Sequence, residues 1–384
     1  MRCRFNFVYF IYVCWLFFSI SPILRLNGFA DESLKINLTQ ELKKGNFLIG
    51  LKQYLGTNSD SSSEKQNITF KTTNDFLELH SSNGFKHKSK KINILFKEIP
   101  LKSPLKIERL VFGPFSSYES AQRQAKTLKE EGYEALVAYP KNWEVWIPLS
   151  EDLPDQRLKY KLFKKSYKSR IVPFLVSEYS QQELQGPIHI SSSEEIRIND
   201  INFGKTFFLV EDSYGTWTLI QKIKFDKYLQ GVLPYEIGSN SPLEALKAQA
   251  VIARTWALYN SKRFNIDNYH LCISTQCQVY KPPKVENKNV NNAITDTSNL
   301  IITYKSKPIN SFYHGSNGGI SAGASEAWRI ENHLYFNPMI DGLDSLKKSI
   351  KLPIKNGDQL DKFLDLEDEK FYGNKHYLFR WKKI

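Results

Sequence analysis

Sulfur is scarce in this chain, with two methionines and four cysteines among 384 residues. The core must therefore be built from Phe, Tyr, Ile and Leu, all of them plentiful. Cys3 and Cys14 fall in an N-terminal leader, so the remainder holds only the pair Cys272 and Cys277, which excludes a disulfide framework as the basis of the fold. No internal repeat is long enough for a solenoid. The long apolar run is Phe5 to Leu24, preceded by Arg2 and Arg4 and followed by Gly28 and Ala30. It reads as a secretion signal, or as an uncleaved N-terminal anchor, since a bilayer is crossed by roughly 20 residues. Either reading, covering residues 1–30, exports the rest. Cys14, followed by Trp15, is a poor lipid acceptor.

Acidic residues are outnumbered, giving a formal net charge of +13. Such an excess suits nucleic acid, an anionic envelope surface or plain solvation. No nucleic-acid fold signature accompanies it, and export argues against that partner. The basic clusters are short: Lys86 to Lys91, Arg157 to Arg170 and Lys347 to Lys351.

The most specific stretch runs from Tyr228 to Tyr259 (YLQGVLPYEIGSNSPLEALKAQAVIARTWALY). Glu236 stands in what reads as a Pro-, Gly- and Asn-rich turn before a helix. Ser241 is the expected N-cap, Pro242 suits the first helical position and Glu244 completes a capping box. Leu243, Leu246, Ala250, Ala253 and Ala257 then share one narrow face, with Lys247 and Arg254 at its margin. A face of alanines permits close packing, so the helix is a frame for the preceding turn. A lone carboxylate on such a frame is a candidate acid/base, or a solvated loop residue.

This segment resembles the signature of the SpoIID/LytB family, a P-x-E turn followed by P-x-E-A-L-K-A-Q-A-x-x-A-R-T. The matching residues are Pro234 to Glu236, then Pro242, Glu244 to Ala250 and Ala253 to Thr255. Further likeness follows in order: Cys272, Cys277, Gln278, Val279 and Tyr280; Leu300 to Ile309; Tyr313, His314, Ser316, Gly318 and Gly319; Glu326 to Trp328; and Tyr335 to Asp341. It covers about residues 195–342.

The resemblance implies an α+β fold with short strands around a buried Ala-rich helix. It also implies lytic transglycosylase activity on peptidoglycan glycan strands, some relatives being amidase enhancers that suggest a cell-wall amidase as partner. One carboxylate suffices for that reaction, because the sugar's own C6 hydroxyl is the nucleophile; an ordinary glycosidase needs two. Glu236 is then the acid/base, and partial desolvation against Tyr235 or Trp256 should raise its pKa. Tyr280, Gln278, His314 and Ser316 are expected at the substrate, with Gly318 and Gly319 letting a sugar approach the backbone. His270, Cys272 and Cys277 can be read as zinc ligands, as at a related site in some family members, although the spacing departs from a fixed motif. A Cys272–Cys277 disulfide and a pair of free thiols are the alternatives. No other cofactor is expected.

Along the chain, residues 45–100 read as N-terminal strands, beginning with Asn46 to Tyr54 and continuing through Ile68 to Leu79 and Lys91 to Phe96. Residues 105–150 read as a βαβ insertion similar to half of a SPOR glycan-binding module, its helix running from Ser117 to Gly132 with Ala121, Ala125 and Leu128 on one face. Tyr167 to Gly186 reads as a connection, residues 186–342 as the catalytic core and residues 343–384 as a charged extension.

Overall fold

The computed structural model describes residues 36–57, 66–149, 154, 158–283, 286–327, 330, 333–366, 368–377 and 379–380. The leader and Trp328 lie outside the described residues. No helix among the described residues is long and apolar enough to cross a membrane.

The fold is α+β. Asn37 caps α1 (Leu38–Lys43), its side chain accepting the Gln40 N–H. The strands that follow are β1 (Asn46–Leu55), β2 (Asn67–Lys71), β3 (Leu77–Ser81), β4 (Lys86–Ser89) and the long β5 (Lys91–Phe115). After α2 (Tyr118–Glu130) come β6 (Leu136–Ala138), β7 (Trp143–Pro148), β8 (Tyr160–Val176), β9 (Gln181–Glu183), β10 (Ile188–Ser191), β11 (Arg197–Ile198), β12 (Ile201–Asn202), β13 (Thr206–Glu211) and β14 (Trp217–Lys224). Helices α3 (Phe225–Glu236) and α4 (Leu243–Tyr259), the short β15 (Leu271–Cys272) and α5 (Lys288–Asp296) complete the site region.

Two sheets result. One has the order β15-β1-β14-β13-β10-β3-β4; the other runs β12-β11-β2-β5-β7-β6, with β8 along β5 and β9 beyond it. The apolar run of β1 is continuous because both of its faces are covered. Phe47, Ile49 and Leu51 join the core shared with the second sheet, α3 and α4, while Leu48 joins a second core with α2. In β13 and β14 the same period-two split sends Phe207, Leu209 and Leu219 one way and Val210 and Ile220 the other.

Several expectations need correction. Lys91–Phe115 is one strand, and the first half of the supposed connection after Tyr167 is β8, paired with β5 from Phe112↔Tyr160 to Asn93↔Val176. The helix over 118–130 does bury Ala121, Ala125 and Leu128, with Ser117 as its cap. The unit around it is not a simple βαβ, however, because β7 lies between β5 and β6, antiparallel to both. Its buried side shares one core with β1, β13 and β14. The C-terminal residues are more than a charged extension: short helices Asp344–Ser349 and Gly357–Leu364 surround a small core of Leu346, Phe363, Phe371 and Phe379.

Candidate active site

Glu236 sits at the end of a helix, not on a turn. Tyr228 to Glu236 lies within α3, which accommodates Pro234 inside it and stops at Ile237, followed by Gly238 at φ +84°. The intended N-cap does other work: Ser241 Oγ donates to the Ile237 carbonyl at 2.6 Å, Pro242 caps α4 without a side-chain bond, and Glu244 pairs outward with Lys247. Ser241 therefore ties down the link between α3 and α4.

The small face of α4 is buried as expected, with Leu246, Ala250, Ala253 and Ala257 inaccessible. Arg254 is not marginal but 3% exposed. Its guanidinium donates to the carbonyls of Leu300 at 3.1 Å and Ile294 at 3.4 Å, so it joins α4 to the end of α5 and the segment beyond.

α3 is seated by Gly231. A Cβ there would lie 2.4 Å from the Tyr280 ring and 2.6 Å from the Lys281 carbonyl, so only glycine permits the approach. The Lys281 N–H donates to the Gly231 carbonyl at 3.1 Å. This brings the chain just before it to the last turn of α3, where the Val279 N–H donates to Glu236 Oε1 at 3.1 Å.

A second donor to the carboxylate is the Tyr313 hydroxyl. Behind it runs a chain of like-oriented hydrogen bonds. Tyr228 donates to Gln278 Oε1 at 3.1 Å, and Gln278 Nε2 donates to the Tyr313 oxygen at 3.1 Å. With its oxygen occupied by Gln278, Tyr313 is left to point its proton at Glu236. Burial pushes the Glu236 carboxyl above its ordinary range, with the Val279 and Tyr313 donors opposing. The negative end of the α3 dipole acts in the same upward direction. None of the groups acting on it among the described residues is a second carboxylate.

The expected source of desolvation is different in the structure. Tyr235 points outward, 40% exposed and under the Lys281 ammonium, and Trp256 stacks at the Arg263 guanidinium. Gln278 and Tyr280, expected at the substrate, are 1% and 2% exposed and support the carboxylate from behind. His314 is exposed and Ser316 half-buried on the segment that follows Tyr313. Gly318 and Gly319 do not leave room for a sugar. A Cβ on Gly319 would meet the Phe371 ring at 2.6 Å, and one on Gly318 the Phe379 carbonyl at 2.9 Å, so both glycines serve the C-terminal core. A cleft of about 280 Å³ flanks α3, lined by Gln230, Pro234, Tyr235, Ser239, Pro283 and Glu286 among others; Glu236 is not part of its wall.

Cys272 and Cys277 form a disulfide. His270 Nδ1 accepts the Leu48 N–H at 2.9 Å, leaving Nε2 to donate to the Leu38 carbonyl at 3.1 Å, and burial lowers its pKa to about 4. A neutral imidazole with both nitrogens bonded and two sulfurs joined to each other is not a zinc-ligand set, so the residues as placed do not fit that metal. Zinc and disulfide make opposite demands on the thiols, and this arrangement meets the second.

Tyr228, the Val279 amide and the role of Tyr313 escape sequence reasoning. A backbone donor has no signature in sequence, and Tyr313 is legible only as a neighbour of His314 within the motif.

An α+β core that presents one half-buried carboxylate at a helix end, hydrogen-bonded by a backbone amide and a tyrosine, defines the class. Residues 213–304 match the family model SpoIID, Stage II sporulation protein, so this segment of the chain is similar to that family. It is similar to an uncharacterized protein of Brachyspira hyodysenteriae, with 27% identity over 196 residues, 44% of this chain and 50% of that protein. The Amidase enhancer of Bacillus subtilis is 35% identical over 100 residues, 26% of this chain and 13% of that one. The Stage II sporulation protein D of the same organism is 27% identical over 124 residues, covering 28% and 36%. The chain thus spans half or less of each of these relatives.

Proposed function

We propose that this protein is an exported peptidoglycan lytic transglycosylase, acting between N-acetylmuramic acid and N-acetylglucosamine with Glu236 as acid and then base. The observation that carries the reading is the state of Glu236: raised in pKa by burial, held by two donors, and acted on by no other carboxylate among the described residues. In the first step the protonated carboxyl gives its proton to the glycosidic oxygen as the C1–O4 bond breaks. In the second the carboxylate takes the proton of the C6 hydroxyl as O6 closes on C1, leaving a 1,6-anhydro end and restoring the acid. Water is not consumed, so no second carboxylate is needed to activate it.

The Tyr228–Gln278–Tyr313 chain supports this double role. It keeps a donor on the carboxylate when the group is ionised between the steps, so the base is stabilised without being fixed in that form.

A second reading, a non-catalytic wall-binding protein that stimulates an amidase, is favoured by the likeness to the Amidase enhancer of Bacillus subtilis at 35% identity. Incubating the purified protein alone with peptide-stripped glycan strands separates the two. Anhydro-ended fragments detected by mass support the enzyme; intact strands, together with faster stem-peptide release by an amidase from peptide-bearing peptidoglycan when the protein is added, support the enhancer.

A further inference from the structure

The positive charge of this protein is gathered in one place. Residues 97–109 and 159–170 carry ten lysines and arginines against two glutamates, a balance of +8 out of the chain's +13. These residues are the middle of β5 and most of β8, which pair with each other from Lys97↔Val172 to Arg109↔Phe163. β2 reaches β5 only up to Leu95, and β7 only from Arg109 onward. Between those points no other strand among the described residues pairs with them, and they form a ribbon roughly 35 Å long at ~3.3 Å per residue along β8. Lys102, Lys106, Lys164, Lys165 and Lys168 are all exposed on it, and exposed Lys161 continues the β8 edge just beyond Arg109.

Lysine on an exposed strand guards against edge pairing, and a few such residues would need no other account. Here the side chains also alternate in kind. On one face of β8 stand Tyr167, Lys165, Phe163 and Lys161, opposite Leu105, Ile107, Arg109 and Val111 on β5. Lys165 Nζ lies 4.5 Å from the Tyr167 ring centre, and the Arg109 guanidinium lies over both Trp146 at 3.3 Å and Phe163 at 4.4 Å. Rings offer faces to the C–H surfaces of sugars, and the ammonium groups between them offer charge at a repeating interval. The other face carries Lys106, Lys164, Lys168 and Arg170, with Lys164 paired to Glu108. Cations on both faces suit a strand that can run along or around a ribbon, not a flat bilayer.

We propose that the β5–β8 ribbon binds a linear anionic carbohydrate polymer of the cell envelope, one bearing carboxylate or phosphate groups, at a surface separate from Glu236. This goes beyond the transglycosylase reading and does not rest on it.

Labelled oligogalacturonate is the test probe, used with the whole exported chain in fluorescence anisotropy beside a neutral chito-oligosaccharide of equal length, anionic phosphatidylglycerol vesicles and duplex DNA. Binding to oligogalacturonate should exceed the other three and weaken steeply with salt. The double variant Lys161→Gln, Lys165→Gln should bind at least tenfold more weakly with a flatter salt dependence. Tyr167→Ala should lose several-fold while keeping the wild-type salt slope. Glu236→Gln should bind as wild type, so failure of the catalytic reading leaves this result untouched. Unchanged affinity in the lysine variant, salt-independent binding of the neutral sugar at equal strength, or tighter lysine-dependent binding to vesicles or DNA would each overturn the proposal.

Discussion

Tyr313 controls Glu236 through a single hydrogen bond that lowers the carboxyl's pKa against the upward push of burial. Tyr313→Phe removes that bond and leaves burial unopposed on one side, so the pKa rises further. If the protonated acid starts the reaction, the alkaline limb of the pH–rate profile should move to higher pH in the variant. The maximal rate should fall by about tenfold, because the carboxylate formed between steps loses a donor. A profile that keeps its limb in place would show that the tyrosine does not act on the titrating group. Burial of Gln278 behind this tyrosine explains why its motif position misleads: a polar residue beside a cysteine pair reads as substrate-facing, yet it is the spacer that orients Tyr313.

Among elements, the contact between α2 and the turn that follows α4 rests on a buried ion pair. Arg263 is 5% exposed and pairs with Glu119, also buried, while its guanidinium faces Tyr118 at 4.4 Å and Trp256 at 5.1 Å and donates to the Gln276 carbonyl at 3.1 Å. Arg263→Ala leaves the Glu119 carboxylate buried without its partner, at a cost of about 3–5 kcal/mol. Breaking the exposed Lys164–Glu108 pair should cost under about 1 kcal/mol, and thermal melts of the two variants give the comparison. Because Gln276 also accepts from the Trp143 indole at 2.8 Å, the cysteine loop is gripped by the α2 unit on one side and closed by its own disulfide. Reduction of that short loop should lower stability by about 2 kcal/mol on the chain-entropy account, with two thiols then titrating and no zinc released. The helices of this region were legible where apolar spacing fixes a face, as in Ala121, Ala125 and Leu128 or Ala250, Ala253 and Ala257. The start of α4 was not, since Ser241 satisfies the Ile237 carbonyl in preference to the amides of α4, and propensity cannot choose between two local partners.

Over the whole molecule, the two cores are joined across β1, β13 and β14, and a buried acid holds the turn between β13 and β14. Asp267 accepts from the Ser213 N–H at 3.1 Å and the Tyr214 hydroxyl at 2.8 Å, and Tyr214 in turn accepts the Tyr139 N–H at 2.9 Å beside the α2 unit. Burial first, and then the neighbouring Asp212 charge, raise the Asp267 pKa from 3.8 to about 7. A carboxyl raised on folding favours the native state fully below its unfolded value and loses that contribution as pH climbs through the folded value. Stability should therefore decline between about pH 4 and pH 8 by a few kcal/mol from this group. Asp267→Asn, which stays neutral, should flatten the decline in melting temperature over that range; an equal slope in both proteins would rule the group out. The sheet strands from Ile188 to Lys224 were readable from alternation alone. The β5–β8 ribbon was not, because its lysines break the apolar period and its partners lie some sixty residues apart. The C-terminal core was hidden by its surface charge, and with it the reason for Gly318 and Gly319, whose missing side chains make room for Phe371 and Phe379.

The central claim is that one carboxylate performs both proton transfers. Its most direct test is mass analysis of the products that wild type and Glu236→Gln release from peptide-stripped glycan strands. The account predicts 1,6-anhydro fragments from wild type and at least a hundredfold loss in the variant at unchanged melting temperature. Equal yields of anhydro ends from both proteins would contradict it.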